Sequence, residues 1–335
     1  MDERILSVTD RCVRRQPTSR LDRRYLLSFD EGSEEAEYII SSADRFVKEA
    51  CSSTGEIGVQ IGVIVGPCYA DCSFCNFASS TTDVEDFTMG EGELTRYLDR
   101  VAESRVVSSV SLMTIHNFDF DDFLHIVETA RSILPEGIRV CSNTGDLEPS
   151  EAKELKKAGV DSAYHALRLG ESIDNRLEPA DRARTMRNLK AAGIPVAAGV
   201  EPIGPEHSMN EICESFEHAM GEKCMCCSAS ARVPVPGTRM FGLGSISDRK
   251  LKLIRSALLL SATDMNSTEF GFYGGFYGGF NRYFGEYSNS PKDREELSEK
   301  GMNHTVRWAA ERLKADGYDK IRCPDGSVRP ISDII

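Results

Sequence analysis

An α/β fold of the (βα)-barrel type is predicted by two features of the sequence. From Gly58 onward, apolar β-branched runs alternate with amphipathic stretches, and 335 residues is a length at which such barrels form one unit. The strand candidates are 59–65, 110–113, 139–141, 162–165, 196–200 and 230–233. Between them fall helices near 91–106, 119–133, 149–158, 181–192, 209–220 and 247–262. A parallel sheet with right-handed crossovers curls as it grows, so a barrel is expected, with a flat doubly wound sheet as the alternative.

Residues 1–57 read as a helical lead-in and cap. Its helix lies over about 34–52, where Ala36, Ile39, Ile40, Ala43, Phe46 and Val47 share one face. The barrel is expected over 58–290. Within it, 269–287 is a glycine–aromatic stretch, read either as packing or as a cavity wall. Residues 291–335 then supply a helix over about 303–316 and a tail packed on the barrel.

Composition narrows the function classes. A hydrophobic share of 40% and a charged share of 28% suit a globular enzyme with a sizeable core. A net charge of −13 argues against nucleic acid as a partner, since binding phosphates needs a basic surface. The N-terminal residues lack the apolar core of a signal peptide, and no run of about 18 apolar residues occurs. A cytoplasmic location without a membrane partner is expected.

Eleven cysteines are many for such a chain, and clustered cysteines in a reducing compartment bind metal or do redox chemistry more often than they pair. Cys68, Cys72 and Cys75 form C-x3-C-x2-C directly after the first strand, which places three thiolates where barrel active sites sit. Three thiolates can hold an iron–sulfur cubane and leave one iron open. Structural zinc and a chance grouping are the alternatives, although zinc would want a fourth ligand and the nearest histidine, His116, is in another loop. Cys224, Cys226 and Cys227 form a second group, expected just before the sixth strand and about 20 Å from the mouth. Packing thiols and an auxiliary cluster are both readings of it.

The cysteine loop, with Phe74 just before the third cysteine, resembles that of the radical S-adenosylmethionine (SAM) superfamily. Over residues 58–290 the chain is similar to its biotin synthase-like group, which includes biotin synthase, the [FeFe]-hydrogenase maturase and methylornithine synthase. GGFNRYFGE resembles that group's eighth-strand region, which favours a full (βα)8 barrel of TIM type. The resemblance implies that Cys68, Cys72 and Cys75 hold a [4Fe-4S] cluster whose open iron chelates SAM. One electron, from a donor such as ferredoxin or flavodoxin, then yields a 5′-deoxyadenosyl radical that abstracts hydrogen from a small-molecule substrate.

Site residues follow from the same resemblance. Phe74 would contact adenine through its backbone, Arg182 in DRARTM would grip the SAM carboxylate, and Ile203 and Gly204 in VEPIGPE would lie along adenine. Arg168 and Glu171 are candidates for the ribose, in place of the family's Asn and Asp. The second strand ends in SLMTIHN instead of a Gly-Gly-Glu-like turn, leaving Thr114 and His116 for the methionine amino group.

Biotin synthase carries a second cluster on cysteines of its second, third and fifth strands and an arginine. Only Cys141 matches; the fifth-strand position falls at Ala197 and the arginine near Thr263, so biotin formation is not expected. Radical rearrangement or fragmentation remains, in cofactor or unusual amino-acid biosynthesis. The alternatives are lipoyl synthase-like sulfur insertion with an auxiliary cluster and a non-catalytic iron–sulfur carrier.

Overall fold

The computed structural model describes residues 3–14, 16, 18–262, 280–288 and 304–335. Its sheet is built from β1 (Thr54–Val65), β3 (Val107–Thr114), β4 (Arg139–Asn143), β5 (Ser162–Tyr164), β6 (Val196–Ile203), β7 (Cys226–Ala231) and β8 (Arg282–Ser288), with β2 (Phe87–Thr88) a short antiparallel strand on the end of β1. The order is β8-β1-β3-β4-β5-β6-β7, parallel throughout. Pairing of the late strand β8 with β1 is the neighbour relation of a barrel. Thr263 and most of the glycine–aromatic stretch lie outside the described residues. Two short strands, β9 (Lys320–Arg322) and β10 (Val328–Pro330), extend the sheet at the start of β1.

Helices α4 (Glu91–Ser104), α5 (Phe120–Ile133), α6 (Pro149–Ala158), α7 (Pro179–Ala191), α8 (Met209–Gly221) and α9 (Asp248–Leu260) connect the strands within two residues of the expected ranges. Local chemistry sets their ends. Ser208 and Glu211 cap α8 reciprocally, Pro149 opens α6, and Gly159 closes it in the left-handed conformation.

Strand alternation divides the molecule into two faces. Val59, Ile61, Val110, Leu112, Val140, Ala163, Val196 and Ala198 are buried in the core shared with the helices. The opposite face is polar: Gln60, Ser111, Cys141 and Ser162 are register partners across four strands. Gly62, Met113 and Asn143, one step further along, line a cavity at the C-terminal ends of the strands.

Two strands begin four or more residues ahead of their expected starts. β1 begins at Thr54 instead of 59, because Glu56 and Gly58 interrupt the apolar run yet pair with β8 and β3. β7 is Cys226–Ala231 instead of 230–233; CCSASA lacks β-branched residues, and pairing with β6 makes it a strand regardless. Cys226 and Cys227 therefore lie within the strand, not ahead of it.

The lead-in contains α1 (Glu3–Val13), α2 (Arg20–Leu27) and α3 (Glu34–Ala50). α3 packs on α9, and α2 on α8 and α9. α1 is hard to read because arginines and acids interrupt the spacing of its buried Ile5, Val8, Thr9 and Cys12. Among the described residues, no helix is long and apolar enough to cross a membrane.

Candidate active site

The cavity is bounded by the loop after β1, the ends of β3, β4 and β6, the loops after β5 and β7, and the start of α7. Cys68, Cys72, Cys75, Phe74, Thr114, Arg168 and Arg182 all line it. Glu171, Ile203 and Gly204 do not. Glu171 closes its own loop, accepting hydrogen bonds from the Arg168 backbone (2.6 Å) and Asn175 (3.1 Å). Ile203 is 1% exposed in the core. A Cβ on Gly204 would lie 2.4 Å from Arg232 Nη2 and from Glu206 Oε2, so glycine is needed there to admit the Arg232–Glu206 ion pair.

The three thiols are drawn inward. The Cys68 sulfur accepts the His116 N–H at 3.3 Å, and that of Cys75 accepts the Phe77 N–H at 3.4 Å. Burial, with a smaller contribution from the neighbouring cysteines, pushes the Cys72 thiol up to about 11 and Cys75 to about 12. These two desolvated thiols can both ionise only beside a cationic group. Among the described residues no three His, Cys, Asp or Glu side chains converge on a point that would hold a single metal ion. A cubane does not require convergence, since its three thiolates bind three different irons.

Two arginines face the thiols. Burial lowers the Arg182 pKa, and Arg168 lowers it further, so the two guanidinium groups repel across the cavity. Burial would lower Arg168 too, but Glu201 and Cys72 outweigh it and raise it. Arg182 is 3% exposed and donates to Asp146 Oδ1 (2.9 Å) and to the Ala166 carbonyl (3.3 Å), while its buried Nε–H has no partner. A buried guanidinium with unused donors beside a second one is suited to a carboxylate ligand. Arg184, by contrast, is half exposed and pairs with Asp181 on the surface of α7.

Asp146 is the residue that sequence reasoning missed. Its Oδ1 accepts from Arg182, from Thr185 (3.0 Å) and from His165 Nε2 (3.2 Å). Burial works to raise its pKa, yet His165 and Arg182 hold it far below the ordinary carboxylate range. It follows Gly145, where a Cβ would meet the His116 carbonyl oxygen at 2.2 Å, so the loops after β3 and β4 are in direct backbone contact. In the sequence it stands in a Gly-Asp-Leu segment with no spacing signal to mark it. Glu201 (3.5 Å from Arg168), Asn143, Ser230 and Arg232 also line the cavity unforeseen.

His165 is fully buried, and burial together with Arg182 lowers its pKa from 6.5 to about 3. The unfolded chain binds this proton more readily, so the stabilisation is complete above about pH 6.5 and is lost as pH falls toward 3. Stability should drop by about 2 kcal/mol from this group between pH 6.5 and 5. Denaturant unfolding of wild type and His165→Gln at both pH values checks it: the variant should lose less, and equal losses would assign the pH dependence elsewhere.

The comparisons with known proteins agree with this geometry. Residues 63–219 match the family model of the radical SAM superfamily. They form a radical SAM domain. Such domains use a [4Fe-4S] cluster and SAM, and Cys68, Cys72 and Cys75 lie at the start of this one. Curated relatives are biotin synthases: that of Synechocystis sp. is 26% identical over 182 residues, covering 50% of each chain. That of Desulforudis audaxviator is 31% identical over 146 residues, covering 40% of this chain and 43% of the relative. The chain thus matches about half the length of these relatives. Among solved structures, methylornithine synthase superposes with a TM-score of 0.73 at 17% identity, covering 92% of this chain and 96% of the other. The [FeFe]-hydrogenase maturase from Carboxydothermus hydrogenoformans gives 0.72 at 14% identity, covering 95% and 79%. Around its radical SAM domain the chain therefore has the fold of these barrels.

Proposed function

We propose that the chain is a radical SAM enzyme acting on a small or medium-sized metabolite by radical rearrangement or fragmentation. The observation that carries this reading is the meeting of Cys68, Cys72 and Cys75 with Arg168 and Arg182 around one cavity at the strand ends. The three cysteines would hold the [4Fe-4S] cluster, and Arg182, oriented by Asp146, would receive the SAM carboxylate. The cluster, when bound, would supply the electron for reductive cleavage of SAM, the source of a 5′-deoxyadenosyl radical. Val65, Phe74, Ile115 and Leu177 form an apolar wall that keeps water from a reactive species. Asn143, Glu201 and Ser230 offer hydrogen bonds that suit a polar substrate. A ferredoxin or flavodoxin would supply the electron. The test is formation of 5′-deoxyadenosine and methionine from SAM by the reduced protein, accelerated by a small-molecule fraction of cell extract; acceleration by the protein fraction alone would contradict a metabolite substrate.

One observation favours a second reading, sulfur insertion with an auxiliary cluster. Cys226 enters the polar inner face on β7, close enough to Cys141 on β4 that each thiol and Arg282 on β8 influence one another's ionisation. On that reading wild type holds about six irons and Cys141→Ser or Cys226→Ser about four; on the first, all three hold about four.

A further inference from the structure

Asp71 stands between the first two cysteines, in the left-handed conformation (φ 50°), with its side chain only 6% exposed. A buried carboxylate needs partners, and the two charged ones come from outside the cysteine loop. Arg239 Nη1 and Arg176 Nη2 each lie 3.0 Å from Asp71 Oδ2, and the Ser80 N–H donates to Oδ1 at 2.9 Å. The Arg239 fork also donates to the Asp71 carbonyl, to Ser80 Oγ and to Ser73 Oγ. Backbone bonds reinforce the same joints: Arg176 N–H to the Ala70 carbonyl (2.9 Å), Ser73 N–H to Asp174 (2.8 Å) and Met240 N–H to Ser73 (2.9 Å). Arg176 belongs to the loop after β5 that brings Arg168 to the cavity, and Arg239 to the loop after β7 that brings Arg232.

We propose that Asp71 is the positioning residue of the cysteine loop, clamped by Arg239 and Arg176 so that the spacing of the three thiolates is fixed against two other walls of the cavity. This rests on the reading of Cys68, Cys72 and Cys75 as cluster ligands. Asp71 touches none of the reacting groups and acts through the loop backbone. Groups that orient metal ligands typically change metal affinity by about 10–100-fold when removed.

Two variants of the full chain separate geometry from charge. Asp71→Asn keeps a residue that tolerates the left-handed conformation while removing both ion pairs. Arg239→Lys keeps the charge but loses the fork. After anaerobic reconstitution, iron release to a chelator is timed and the electron paramagnetic resonance spectrum of the reduced protein is recorded with and without SAM. Both variants should release iron at least about tenfold faster than wild type and show a diminished SAM-induced spectral change, with unaltered far-ultraviolet circular dichroism. Wild-type release rates and spectra in Asp71→Asn, or full function of Arg239→Lys, would overturn the clamp. If Asp71→Asn does not fold, Arg176→Gln, whose side chain is half exposed, takes its place with the same expectations. A wild type that holds no cubane overturns the ligand assignment itself, and the clamp with it.

Discussion

Simultaneous replacement of Cys68, Cys72 and Cys75 by alanine is expected to take the reconstituted protein from about four irons and four sulfides per chain to near zero. The fold should survive. These cysteines sit in a small apolar cluster with Val65, Phe77, Ile115 and Leu177, apart from the main core. Each change to alanine removes a single sulfur atom from this small cluster, so the cost in stability should be modest. Iron and sulfide analysis with circular dichroism checks this. An unchanged cubane spectrum in the triple variant would place the cluster on other cysteines.

Arg182→Ala should weaken SAM binding by about 1.5–3 kcal/mol, on the order of 10–100-fold in Kd, through loss of a charge-assisted contact to the carboxylate. Asp146→Asn should produce a smaller loss in the same direction. It leaves the guanidinium in place but removes the charge that orients it through the 2.9 Å contact. Equilibrium binding of SAM to the reconstituted protein measures both. Equal affinities in wild type and Arg182→Ala would mean that another group, with Arg168 the nearest candidate, holds the carboxylate. A loss in Asp146→Asn exceeding that in Arg182→Ala would mean that Asp146 does more than orient it.

The contrast between these two residues marks what the sequence made legible. Alternating apolar runs located six strands and their helices because the strand face toward the helices is continuously apolar, as Val59, Ile61, Val110 and Leu112 illustrate. The same rule failed at CCSASA, a strand made by its neighbours and not by its own side chains. The cysteine loop was readable because its ligands are close in sequence. Asp146 comes from the loop after β4, Glu201 from the end of β6 and Arg232 from the loop after β7, so no spacing announces them. Glu171 shows the converse: a polar residue at a strand tip whose carboxylate accepts hydrogen bonds within its own loop. The Cys224–Cys227 group was placed too early because β7 starts at Cys226, which brings one of its thiols into the barrel interior.

On the proposed function, the cysteine loop and the two facing arginines form a site for reductive cleavage of SAM. The most direct measurement is anaerobic incubation of the reconstituted, dithionite-reduced protein with SAM, followed by quantification of 5′-deoxyadenosine and methionine. Equimolar formation of both, abolished in the triple cysteine variant, is the predicted result. A fully loaded, reduced protein that leaves SAM intact both alone and with the small-molecule fraction would contradict the claim and favour an iron–sulfur carrier.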